Sequence, residues 1–173
     1  MRGANSDGIG VDFSFRWIPE KSDEGQIYLS LAYHVLPNVQ LGGDYRPLSD
    51  DFGVLATWRA IPETDRRPAV IFGTANDDFG DTNSQSVYGT VSKALPEWRG
   101  VRASPYTGVV YIWELEDVEL LGGLHLRYRN TSALVQYSGT DTHLTLSHSF
   151  RQHTFSFVWF AFDQPGLAYS LSF

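Results

Sequence analysis

The sequence predicts an all-β chain folded as an antiparallel, up-and-down transmembrane β-barrel of about twelve strands. Three observations predict it. Apolar and polar residues alternate with a period of two along almost the whole chain, and no segment keeps a helical period beyond two turns. Turn-forming clusters interrupt the alternation at short intervals. No apolar run approaches the roughly 18 to 20 residues of a helical span, the densest being 108–113 and 157–162, so a membrane crossing here must be made by strands.

The first strand, about residues 9–18, sets Val11, Phe13, Phe15 and Trp17 on one face and Asp12, Ser14 and Arg16 on the other. The second places Ile27, Leu29, Leu31, Tyr33 and Val35 opposite Tyr28, Ser30, Ala32 and His34, and stops at Pro37-Asn38. A third follows at once, with Val39, Leu41 and Tyr45 against Gln40, Asp44 and Arg46, so the two form a tight hairpin. Further strands are expected at roughly 51–61, 67–75, 85–93, 99–113, 118–128, 132–138, 142–150, 152–162 and 166–173. Turn chemistry divides them at Pro47-Leu48-Ser49-Asp50, Pro62-Glu63-Thr64-Asp65, Asn130-Thr131, Gly139-Thr140-Asp141 and Asp163-Gln164-Pro165-Gly166. The even count returns both ends to one side. The links at Pro37-Asn38, Asn130-Thr131 and Arg151 are short and share a side, whereas 19–24 and 76–84 lie opposite, as expected for short periplasmic turns and longer outer loops; 94–98 is longer than that rule predicts. The 173 residues suit a single folding unit, 1–173.

Alternation alone does not say which face meets solvent; composition of the faces does. The polar face is rich in small residues, among them Ser30, Ala32, Gly42, Thr90, Ser92, Ala168, Ser170 and Ser172. Ionisable residues punctuate it at Asp12, Arg16, His34, Asp44, Arg46, Arg59, Glu119, His125, Arg127 and Arg129, the candidate lining of a narrow polar lumen. These charges either line a pore or pair across strands and plug it, and the sequence leaves both arrangements open. On the apolar face Trp17, Tyr45, Trp58, Trp113, Tyr128, Tyr137 and Trp159 fall toward strand ends, where an aromatic girdle meets lipid headgroups. A soluble barrel would instead turn the same apolar face inward around a ligand. Leu167, Tyr169, Leu171 and the terminal Phe173 occupy every second position of the last strand. This is similar to the C-terminal signal by which the outer-membrane assembly machinery recognises barrels, with Ala168 standing where that signal often has Gly.

Eleven of the 13 basic residues are Arg, only Lys21 and Lys93 being Lys, which is unlike a water-facing sheet that protects its edges with Lys. A net charge of −7 without a basic stretch argues against nucleic-acid binding. The absence of Cys removes disulfides and thiolate metal sites. Residues 1–10 hold no apolar core of a secretory signal, so export requires this to be the mature part or a piece of a longer protein.

Two stretches resemble the YjbH-like family of outer-membrane barrels associated with exopolysaccharide production. The first runs from Leu55-Ala56-Thr57-Trp58-Arg59-Ala60-Ile61 through Arg67-Pro68-Ala69-Val70-Ile71-Phe72-Gly73 to Ser86-Val87-Tyr88-Gly89-Thr90-Val91-Ser92-Lys93. The second is Gln164-Pro165-Gly166-Leu167-Ala168-Tyr169-Ser170-Leu171-Ser172-Phe173. The resemblance implies a bacterial outer-membrane location and a link to polysaccharide export or envelope proteins. It implies no catalytic residue.

For hydrolase chemistry the candidates are His34, His125 and His143 on polar faces and the Ser147-His148-Ser149 run. Neighbours on a strand point to opposite faces, so Ser147 and His148 do not meet as nucleophile and base, which leaves a cross-strand pairing of His143 with a Ser. The loop Asn76-Asp77-Asp78-Phe79-Gly80-Asp81-Thr82-Asn83 is oxygen-rich enough for a hard cation but lacks EF-hand spacing, and a solvated loop explains it more simply. No catalytic, metal or cofactor site follows from the sequence. The expected role is structural or transport in the outer membrane. The alternatives are a soluble barrel holding an apolar ligand, an outer-membrane hydrolase, and a barrel whose exposed apolar band packs against copies of itself as a homo-oligomer.

Overall fold

The computed structural model describes residues 10–19, 26–76 and 85–173. Twelve strands form one closed antiparallel sheet, each paired with its neighbours in sequence and the last with the first. They are β1 (Val11–Trp17), β2 (Ile27–Leu36), β3 (Val39–Arg46), β4 (Asp51–Ile61), β5 (Ala69–Ala75) and β6 (Ser86–Ser92). The second half comprises β7 (Val101–Ile112), β8 (Asp117–Tyr128), β9 (Thr131–Tyr137), β10 (Thr142–Phe150), β11 (His153–Phe160) and β12 (Gln164–Ser172). This is the all-β, up-and-down barrel that period-two alternation predicts.

Closure is made by β1 against β12, in register from Asp12 opposite Ser172 to Trp17 opposite Leu167. The Phe173 N–H adds a bond to the Val11 carbonyl at 2.9 Å. None of the twelve described strands is left as an edge, so the backbone of each finds its partners inside the wall.

Pleating then sorts the side chains. Every strand sends at least one large apolar residue to the outer surface, from Trp17 on β1 through Leu31, Leu41, Val54, Phe72, Val87, Val109, Leu120, Val135, Leu146 and Phe155 to Leu167 on β12. Phe52 is 73% exposed and Leu120 66% exposed, values an ordinary core would reverse. The alternate positions face the interior, where hydroxyls, glycines and charges predominate.

The two ends of the barrel differ. One, the short-turn end, carries the connections Pro37-Asn38, Arg129-Asn130 and Arg151-Gln152. The connection 93–100 is longer but extends the sheet, because Leu95 N–H bonds the Ala103 carbonyl and Trp98 pairs with Val101. The opposite, loop end carries the connections 47–50, 113–116, 138–141 and 161–163. The outer loops expected at 19–24 and 76–84 lie largely outside the described residues.

Several expected boundaries shift by one or two residues, two of them at expected turns. Thr131 belongs to β9, and β12 begins at Gln164, so Pro165 is a strand residue opposite Trp159. Pairing of β12 with β1 stops at Leu167, and Pro165, lacking an N–H, has no ladder bond to supply on that side.

Inside the barrel, large rings lie over glycines on the neighbouring strand. A Cβ added at Gly123 would stand 2.6 Å from the Tyr106 ring and 2.4 Å from the Val135 carbonyl oxygen. At the adjacent Gly122, on the outer face, the nearest atom is the Tyr106 carbonyl oxygen at 3.6 Å, an ordinary contact. Gly123→Ala is therefore expected to cost about 2 kcal/mol by overpacking, and Gly122→Ala almost nothing. Urea unfolding followed by the mobility of unboiled protein in gels checks the pair, and equal effects would contradict this packing.

Candidate functional site

The lumen is the natural site, and its two halves are built differently. Toward the loop end a layer of inward side chains is nearly inaccessible to water: Ile18 is 0%, Ile112 1% and His143 2% exposed. Arg16, Asp44, Arg46, Val110, Val158 and Phe160 are buried with them. A water-filled channel would wet these groups, so the lumen is shut at this level.

Specific contacts hold the closure together. The Arg16 guanidinium lies 4.8 Å over the Tyr28 ring. Arg46 donates to Asp51 Oδ2 at 3.2 Å, and the Asn76 amide donates to the same oxygen at 2.8 Å. A Cβ on Gly53 would collide with Asn76 and with the Asp44 carboxylate, so a glycine is what lets these polar groups close over β4. Asn76 thus has a structural partner, while the rest of the candidate cation loop lies outside the described residues.

His143 is the most constrained ionisable group. Its Nδ1 accepts the Ala161 N–H at 3.0 Å, its Nε2 sits 3.0 Å from Ser138 Oγ, and its ring stacks on Phe160 at 4.5 Å. Because Nδ1 is the acceptor, the neutral ring carries its proton on Nε2 and donates to Ser138. A base must accept from its nucleophile; here the direction is the opposite, and both residues are buried. The pairing of His143 with a Ser that the sequence left open takes the form of a clasp across the 138–141 turn. The remaining His–Ser candidates do not assemble: His148 bonds Thr131 at 3.0 Å, while Ser147 and Ser149 bond Ser156 and Thr154.

Toward the short-turn end the interior is a hydroxyl-lined vestibule. Ser14 and Ser30 bond at 2.5 Å, Ser147 and Ser156 at 2.8 Å, and Ser149 and Thr154 at 2.9 Å, each pair across neighbouring strands. Asp12 accepts from Gln40 at 3.0 Å and lies 3.7 Å from His34 Nδ1. Arg59 donates to the Pro37 carbonyl at 3.0 Å. Arg127 and Arg102 stand opposite each other at the mouth, His125 one pleat deeper opposite Ser104, and Arg102 reaches Glu97 at 3.7 Å.

Of the candidate lumen residues, Arg16, Asp44, Arg46 and Glu119 fall in the closed half and Asp12, His34, Arg59, His125 and Arg127 in the vestibule. Arg129 is corrected: it occupies the two-residue turn with φ of 51° and lies over the outer ring of Tyr128, because a left-handed residue breaks the strand parity on which the inward assignment relied.

Among the described residues, charge is sorted along the barrel axis. The short-turn end carries Arg59, Arg66, Arg67, Lys93, Arg99, Arg102, Arg127, Arg129 and Arg151 against Asp12, Glu63, Asp65 and Glu97. The loop end carries Asp44, Asp50, Asp51, Glu114, Glu116, Asp117, Glu119, Asp141 and Asp163 against Arg16 and Arg46.

On the outer wall tryptophans and tyrosines gather toward the two ends, with aliphatic residues and rings such as Phe72, Phe155 and Phe157 between. Trp17, Tyr45, Trp113, Tyr137 and Trp159 ring the loop end, joined by Phe52 stacked on Tyr45 at 4.3 Å and Phe162 beside Trp159 at 5.4 Å. Trp58 and Tyr128 mark the short-turn end, with Trp98, Phe150 and Phe173. Leu167, Tyr169, Leu171 and Phe173 all face outward on β12, and the Tyr169 hydroxyl meets His153 Nδ1 at 2.7 Å. β12 is paired on both sides and is not an edge strand. Compared with known proteins, the chain matches no family model, no curated protein and no solved structure.

Sequence reasoning missed Ser138, whose contact crosses a turn and carries no periodic signal. Ser138→Ala removes one hydrogen bond from the buried His143 ring and is expected to cost about 1 kcal/mol in urea unfolding. An unchanged unfolding midpoint would contradict the clasp.

Proposed function

We propose that the chain is a bacterial outer-membrane β-barrel with a structural or translocational role in the envelope. The observation that carries this is the outer wall: all twelve strands present exposed Val, Leu, Ile or aromatic side chains over a polar interior. Soluble monomers rarely expose a contiguous apolar patch beyond a few hundred Å². Strands of 7 to 12 residues suit the roughly 9 to 11 that a tilted membrane strand needs. A closed sheet also satisfies the demand that backbone groups in hydrocarbon pair within the protein.

The tryptophans and tyrosines toward the two ends support the same reading, since amphipathic rings settle where headgroups begin. A soluble barrel with an apolar ligand is disfavoured by the hydroxyls and charges inside. The closed loop-end half favours a scaffold or gated element over a standing pore. In the envelope, the hydroxyl-lined vestibule offers a surface for a polyhydroxylated chain, consistent with the exopolysaccharide link that the YjbH-like resemblance implies.

Purified protein is expected to need detergent or lipid to remain monodisperse, and a folded monomer in plain buffer would contradict the membrane reading. Reconstituted in a planar bilayer, the barrel is expected to give no steady ohmic current, because the loop-end half is dry. A persistent open-channel conductance would show that the lumen is not closed.

A further inference from the structure

Left-handed residues occur in the turns at both ends of the barrel. At the short-turn end they include Arg99, Arg129 and Arg151, with φ of 51°, 51° and 55°. At the loop end, glycine apart, they are Asp50, Glu116, Ala161 and Phe162, with φ of 52°, 50°, 50° and 54°. This conformation favours Gly and Asn and is blind to the sign of a side-chain charge. Backbone demand therefore does not explain why the left-handed side chains at the short-turn end are all cations while none at the loop end is.

Each of the three arginines also lies over the aromatic residue that precedes it. The guanidinium carbons stand 4.7 Å from the Trp98 ring centre, 5.2 Å from that of Tyr128 and 5.4 Å from that of Phe150. These rings belong to the exposed aromatics of the outer wall. All three arginines are exposed, and no ion pair among the described residues engages them. A guanidinium that contacts a ring through its cation–π attraction spends no hydrogen-bond donor on it, and its fork of N–H groups matches phosphate oxygens. The arrangement places three such forks where the apolar band ends.

We propose that this rim binds the phosphates of anionic glycerophospholipids, so that the short-turn end sits in an anionic leaflet. The inference rests on the membrane reading above and deepens it by naming the lipid. Bacterial barrels turn their short connections toward the periplasm, which makes this leaflet the inner one of the outer membrane. The surplus of Arg59, Arg66, Arg67 and Lys93 on the same end adds attraction at longer range, and the acidic loop end repels the same headgroups.

The test uses the full chain folded into phosphatidylcholine vesicles that contain a minor share of brominated phosphatidylglycerol or of brominated phosphatidylcholine. Quenching of tryptophan emission, to which Trp58 and Trp98 at the rim contribute, reports which lipid gathers at the wall. The expected result is a relative association for phosphatidylglycerol of about fivefold, falling toward unity in 1 M salt. The triple variant Arg99→Asn, Arg129→Asn, Arg151→Asn keeps residues that tolerate the left-handed turn and is expected to abolish the preference while remaining folded. The paired change Asp50→Asn with Glu116→Asn is expected to leave the preference intact. Equal quenching by both lipids in the unaltered, inserted chain overturns the anionic-lipid inference and leaves the membrane reading standing. Failure to enter vesicles of either composition overturns both.

Discussion

Closure of one hydrogen-bonded ladder is the constraint on which the rest of this structure depends. With β1 zipped to β12, no strand needs a partner from outside, and the wall's outer surface is free to be apolar. Pleating does the remaining work: once a strand's register is set, each residue is committed to the wall or the lumen, and a slip of one position would invert the barrel. The register is pinned by the short hairpins and by bulges near His34 to Leu36 and Arg59 to Ile61.

The interior shows how the same frame supports two environments. Near the loop end, ionic and amide groups are buried beside Ile18, Ile112 and Phe160, which is tolerable only because groups such as Arg46, Asp51 and Asn76 bind one another. Near the short-turn end, partly exposed serine and threonine pairs line the wall. A dry plug beside a wet hydroxyl vestibule explains why the charged lumen residues do not act as one continuous pathway.

Much of the fold was legible in the sequence because a strand's burial period is fixed at two. Trp17 and Arg16, or Tyr45 and Arg46, could be assigned to opposite faces from position alone. What alternation lacks is depth along the axis and contact across the lumen. Nothing in the local pattern says that Asp44 lies in a closed layer while Asp12 lies in a vestibule. Turns mislead in a related way: Arg129 continues the polar parity of Arg127 on paper, but its left-handed backbone carries it outside. The Ser138 to His143 contact was invisible for the same reason, since it depends on how the 138–141 turn folds back over the strand end.

The orientation of the wall can be measured directly along β8, since the chain has no Cys and single cysteines can be introduced and spin-labelled in vesicles. Labels at Leu120, Leu124 and Leu126 should collide with membrane-dissolved oxygen and be shielded from a water-soluble nickel chelate. Labels at His125 and Arg127 should show the reverse, and one at Leu121 should be shielded from the chelate. Chelate access to the leucine positions at 120, 124 and 126, or their protection from both reagents in a dry centre, would contradict the account.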